Sequence, residues 1–255
     1  MIGPAAAMLL ATAVSARIAM FAVGGSFVLS GLALYVLDPP IRSAGEQLEP
    51  GPPVSRREWL SPRLVTVLAV TAASTLVLGG TDVSIIAVLR EADQLQWTGA
   101  ALTMWAVYSF VGGFAYGAVS RPFSPPALLA VLALCTIPVG FSGGQWWWLC
   151  LALLPAGALC APTMAATADA VSRLAPAGVR GEAMGLHGSA VTVGIALGAP
   201  LAGAVIDASA PAWGFAAVGL VSVAVALIAL SGDVRRQRGV ATATDASPEL
   251  VATGR

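Results

Sequence analysis

Asp82 is the residue of this sequence that most plainly asks for a chemical role. It follows Gly79-Gly80-Thr81 in the outer half of an apolar run, where an ionisable side chain costs at least about 2.5–3.5 kcal/mol on insertion scales. One reading makes it a proton-coupling carboxylate, or the partner of a cationic substrate. The other makes it a local cap: the two glycines loosen the helix, and the carboxylate pairs with backbone N–H groups at the break. His187, the single histidine, lies among Gly185, Gly188 and Ser189. Its titration range suits proton coupling, and a packed, hydrogen-bonded imidazole near the interface is the competing reading. Asp169 stands four residues before Arg173, a spacing that pairs the two on one helix face as an ion pair at the rim. Glu182 opens the next apolar run beside Arg180, where an acidic side chain suits the positive end of a helix dipole. Trp105 and Tyr108 fall in the middle of a run; there they either stack on an aromatic or cationic ligand or pack in a core.

Other chemistries are excluded by composition. Cys135, Cys150 and Cys160 lie in apolar runs with no ligand-type residue at metal-binding spacing, so no metal site is expected. The chain has no lysine, hence no phosphate loop of the Gly-x-x-x-x-Gly-Lys type and no ATP-driven step. No nucleophile has a His and acid to activate it, so no catalytic residue, cofactor or enzymatic activity is expected. Thirteen arginines against thirteen acidic residues give zero net charge, which lacks the basic excess a nucleic-acid surface needs.

The elements that position these residues are membrane spans. Of the 255 residues 57% are hydrophobic and 10% charged, against about 25% charged in a soluble domain. A bilayer core takes ~20 apolar residues in a helix, because backbone polar groups in lipid must pair within the segment. The chain offers a short run at 3–16 and full runs at 18–37, 64–88, 98–119, 126–142, 145–171, 183–206 and 213–231. With a cytoplasmic C-terminus, the inside loops hold eleven arginines and the outside loops only Arg17 and Arg90, the asymmetry of the positive-inside rule. The tryptophans at 146–148 read as an anchor at the outer interface.

Four regions follow: residues 1–37, one partial and one full span; 38–63, a Pro-rich cytoplasmic linker; 64–231, a six-helix bundle; and 232–255, a polar tail expected to be disordered. The short first run looks like a helix cut through its middle. Gly113 with Gly117, and Gly194 with Gly198 and Ala202, recur at four-residue spacing, which lets membrane helices approach closely. Pro155, Pro162 and Pro200 sit inside spans and are expected to kink them. A weak echo links Gly3-Pro4-Ala5 with Gly198-Ala199-Pro200, each followed by a Phe-Ala-x-x-Gly-like start, about 195 residues apart. Chains built from two parallel six-helix halves carry such echoes.

These features together resemble a major facilitator superfamily transporter, drug-efflux-like, from the end of its fifth helix to the C-terminus. Gly3-Pro4 resembles the glycine-proline motif of the fifth helix. Arg180-Gly181-Glu182-Ala183-Met184-Gly185-Leu186-His187, followed by Gly194, Gly198 and Pro200, resembles the loop and eleventh helix of such members. Gly112-Gly113-Phe114 before Arg121 resembles a degenerate copy of the cytoplasmic Gly-x-x-x-Asp-Arg loop, with Ser120 where the acid stands. The resemblance implies an all-α bundle in the cell membrane and proton-coupled export (antiport) of small molecules by alternating access. Glu182 and Arg180, with Arg121, Asp169 and Arg173, become candidates for gating at the cytoplasmic rim. The expected partners are the bilayer, a small-molecule substrate, and either a missing N-terminal half or a second copy. An importer or facilitator, and a non-transporting half or remnant that needs a partner, are the alternatives.

Overall fold

The computed structural model describes residues 59–118, 123–143 and 145–245, the last thirteen as backbone, and scattered helical positions between Phe21 and Val36. Ser61 starts the bundle: its side chain accepts a hydrogen bond from the Leu64 N–H (3.3 Å), and Pro62 occupies the first helical turn, where a missing N–H costs nothing. Helix α1 (Pro62–Glu91) then runs for 30 residues. A turn with Asp93 at φ 54° and a 3-10 segment lead into α2 (Thr98–Gly117). Helix α3 (Pro125–Thr136) tightens into a 3-10 stretch at Ile137–Phe141, where Pro138 has no N–H to offer the preceding turn. Then come α4 (Trp146–Leu174), α5 (Arg180–Ala208) and α6 (Ala212–Asp245). No strand occurs among the described residues.

Each of the six spans expected after residue 63 is a helix. Four have the length and hydropathy to cross a membrane: Pro62–Glu91, Trp146–Leu174, Ala177–Ala208 and Ala212–Gly232. The third region is short, 12 α-helical and five 3-10 residues. At the longer 3-10 rise these still reach about 28 Å, close to the ~30 Å hydrocarbon thickness. Helix α6 continues past Gly232 to Asp245, where Arg, Gln, Ala and Val are compatible with helix. Residues 1–20, the linker up to 58, and Arg121 lie outside the described residues.

Helix α1 is the axis, in contact with all five others. Around it the remaining helices form an arc, α2–α4–α3–α6–α5, and its two ends, α2 and α5, share no substantial contact. Burial follows this plan: sixteen of the 30 residues of α1 are buried, but only five of the 29 of α5. The end carrying Arg63, Arg173 and Arg180 is called inner here, after the arginine excess. One cluster (Ile85, Leu89, Trp105, Leu132, Leu153, Phe215) fills the outer half, and another (Trp59, Leu64, Val67, Val171, Ala183) seals the inner end. In lipid such packing holds helices by van der Waals density rather than by expulsion of water.

Candidate functional site: a carboxylate on the axial helix

Asp82 sits on α1 eight residues from Arg90 and nineteen from Arg63. If these arginines mark the two interfaces, Asp82 lies about 8 Å outward of mid-membrane, inside the ~30 Å hydrocarbon layer. Its side chain is exposed and has no hydrogen-bond or ion-pair partner among the described residues. The expectation of a helix break here is overturned, since α1 is α-helical without interruption through Gly79–Asp82. The glycines serve a different purpose. A Cβ on Gly79 would stand 2.9 Å from the Ile195 carbonyl oxygen, and one on Gly80 3.2 Å from that of Gly198. Backbone therefore meets backbone, and α5 leaves no room for α1 to unwind.

From the α5 side, Gly194 faces the Ala72 carbonyl and Gly198 that of Leu76. A Cβ on either glycine would run into the main chain of α1. Of the other pair, Gly113 approaches the Ala161 methyl, whereas nothing lies within 4 Å of a Cβ on Gly117. The tightest contact of that helix is made instead by Gly112 against the Ala158 backbone of α4. Among the described residues, then, Gly117 makes no close approach to another helix.

Trp105 is 6% exposed and joins the outer core cluster. With Tyr108 it packs over Gly157, whose Cβ would lie 2.9 Å from that of Tyr108 and 3.2 Å from the Trp105 ring. Tyr108 is half-buried. Both aromatics therefore lie along the α2–α4 seam. His187 is 8% exposed, and its Nε2 lies 3.2 Å from the Thr167 hydroxyl of α4. Thr167 also donates to the Met164 carbonyl at 2.9 Å. A hydroxyl has one proton to give, so with that proton on Met164 the imidazole N–H donates to Thr167.

At the inner rim Arg173 and Asp169 form the expected pair at 2.9 Å, both exposed. Arg180 donates to the Ser172 carbonyl at 3.2 Å, tying the start of α5 to the end of α4. Glu182 stands in the first turn of α5. Pro200 lies inside α5, which remains helical through it. Gly3 and Pro4, like Arg121, lie outside the described residues. Sequence reasoning missed Thr167, Gly112 and Gly157, since a lone threonine or glycine carries no period until its facing helix is known. No group of His, Cys, Asp and Glu suited to a metal occurs among the described residues.

Two open cavities lie at the outer end. One, about 360 Å³, lies between Val88, Phe141 and Ala212. The other, about 420 Å³, separates the ends of α1 and α5.

Apolar helices of spanning length packed around an axial helix define a multi-pass membrane protein. The particular family follows from comparison. The profile of the Major Facilitator Superfamily matches residues 121–253, just over half of the chain, and the chain belongs to that family. It is a membrane transporter built as the C-terminal, all-α portion of that fold. No curated protein and no solved structure gives a significant match.

Proposed function

We propose that the chain carries out proton-coupled export of small molecules across the cell membrane by alternating access, with Asp82 as the coupling carboxylate. One observation carries this reading: Asp82 is exposed and has no hydrogen-bond or ion-pair partner among the described residues, on the stretch of α1 between the two arginines taken to mark the interfaces. A carboxylate in that position is tolerable if it faces water, a cation or another protein surface, and marks an ion or substrate path. His187, buried against Thr167, is a second coupling candidate. The rim groups Arg121, Asp169, Arg173, Arg180 and Glu182 are gating candidates, in a chain whose C-terminus is cytoplasmic. The region boundaries at 37, 63 and 231 are part of the same proposal.

A second reading rests on α5. Only 17% of its most apolar window is buried, and among the described residues Gly181, Gly185 and Gly188 have nothing within 4 Å of an added Cβ. That face suits a protein surface, either another six-helix half or a second copy, and on this reading the chain works only when covered.

The test is reconstitution of the full chain in liposomes, with a cationic dye followed under an imposed proton gradient. The native chain is expected to move dye in response to the gradient, and Asp82→Asn to remove that response. Dye movement with equal gradient dependence in Asp82→Asn would remove Asp82 from the coupling role. Movement independent of the gradient would point to a facilitator, and movement restored by a co-reconstituted partner to the second reading.

A further inference from the structure

His187 is the only histidine of the chain, and its ring is held from one side. Its Nε2 lies 3.2 Å from the Thr167 hydroxyl, which in turn lies 2.9 Å from the Met164 carbonyl oxygen. Two proton arrangements fit these three atoms. If Thr167 gave its one proton to Nε2, its oxygen would face the Met164 carbonyl at 2.9 Å with no proton between two acceptors. If the proton goes to Met164, Nε2–H donates to Thr167 and both contacts are hydrogen bonds. A buried site favours the second, because an unmade bond there costs the desolvation of the groups involved. Thr167 thus selects the Nε2–H tautomer of the neutral ring and leaves the lone pair on Nδ1. Among the described residues Nδ1 has no hydrogen-bond partner. Nor is it one of the buried atoms left without one, which are Trp59 Nε1, Thr81 Oγ1 and Tyr116 Oη. It therefore keeps an accessible edge. Gly185 and Gly188, on either side along α5, have nothing within 4 Å of an added Cβ among the described residues.

We propose that His187 takes up and releases its proton at Nδ1, and that Thr167 is the positioning residue that makes this so. The proposal rests on the reading of His187 as a coupling group and adds to it the exchanging atom and the group that fixes it. The step balances on the ring alone. A proton adds to the Nδ1 lone pair, the ring becomes a cation, and the Nε2–H bond to Thr167 neither forms nor breaks. Helices α4 and α5 stay tied through this 3.2 Å contact in both charge states. The opposite tautomer does not allow this: protonation at Nε2 would set two protons against each other and turn Thr167 away from the ring. The ring lies seven residues into α5 from Arg180, about 10 Å from the inner end at 1.5 Å per residue. The charged groups on the inner ends of the helices that meet there are Arg63 on α1, Asp169 and Arg173 on α4, and Arg180 and Glu182 on α5. Asp169 and Arg173 pair with each other, and Arg180 donates to the Ser172 carbonyl. The polar atom of a facing helix that bonds the ring is the Thr167 hydroxyl.

The test is nitrogen magnetic resonance on the full chain in lipid bilayers, with 15N-labelled histidine. A single histidine gives a single imidazole and two ring-nitrogen resonances. In the neutral ring, the nitrogen correlated with both ring C–H groups, Nε2, is expected at the N–H position and Nδ1 at the lone-pair position. On acidification through and below the ordinary imidazole range of about pH 5–8, Nδ1 should move to the N–H position while Nε2 changes little. Thr167→Ser keeps the hydroxyl and should keep this pattern. Thr167→Val should replace it with the averaged resonances of mixed tautomers. A native ring with its proton on Nδ1, or an averaged native ring, would overturn the proposal. So would an Nδ1 resonance unmoved by acid, or serine and valine variants that behave alike. The spectra are read without substrate, so absence of dye transport beside the expected spectra would count against the transport reading and leave the assignment of Nδ1 standing.

Discussion

Replacing Gly198 with alanine tests the backbone seam directly. The added methyl would fall well inside contact distance of the Leu76 carbonyl oxygen and 3.0 Å from the Gly80 nitrogen. Both are main-chain atoms in the interior of α1, so neither can swing aside as a side-chain tip would. Overpacking of this kind costs about 1–3 kcal/mol, and rigid backbone places Gly198 at the upper end. Helix propensity returns up to about 1 kcal/mol, the usual glycine-to-alanine gain in a helix interior. The net is a loss of about 2 kcal/mol, or about 4–8 °C in thermal midpoint for a chain of this size. Gly188 provides the control on the same helix, because among the described residues nothing lies within 4 Å of its Cβ position. There the propensity gain stands alone, and Gly188→Ala should raise the midpoint by about 2–4 °C. Thermal unfolding of the two variants in one detergent or lipid is the assay. Equal shifts of the same sign would refute the reasoning, since the argument depends on opposite signs at two glycines ten residues apart.

Two further expectations are simpler. A double-mutant cycle on Thr167→Val and His187→Ala should return a coupling of about 0.6 kcal/mol and at most ~1.7, the range for polar links between membrane helices; a coupling of zero would mean the 3.2 Å contact does not hold α4 to α5. Asp169→Asn should leave the thermal midpoint unchanged within error, because its pair with Arg173 is exposed on both sides and such pairs are worth little. A clear fall would assign the pair a structural role at the rim.

The helix plan was legible because lipid imposes one rule on every residue of a span, and hydropathy reports that rule directly. Arginine placement added direction. The seams were only half legible. Gly194 and Gly198 are readable as a pair because four-residue spacing stacks them on one face, but the same logic selected Gly117, which has no neighbour within 4 Å of its Cβ position among the described residues, and passed over Gly112. Spacing gives the face and not what stands opposite it. The two glycines before Asp82 suggested a broken helix, and the correction came from α5, whose own glycines press against them. Trp105 and Tyr108 were ambiguous for the same reason. An aromatic in mid-span has no assigned side until Gly157 on the facing helix is known.

The distribution of burial separates the axial helix from its most open neighbour. Helix α1 touches the five other helices of the bundle and has sixteen of 30 residues buried. Shifting it would disturb clusters at both ends, Ile85 and Leu89 at one and Leu64 and Val67 at the other. Helix α5 has five buried residues, four of them alanine or glycine, so its hold on the bundle comes from close backbone approach rather than from large side chains. That approach is extensive, with Ala183 in the inner cluster and Ala202 beside Leu76 on either side of Gly194 and Gly198. A methyl added at Gly198 acts in the middle of this contact, where neither helix can move aside without losing packing at both ends, and its cost therefore falls on the stability of the whole bundle.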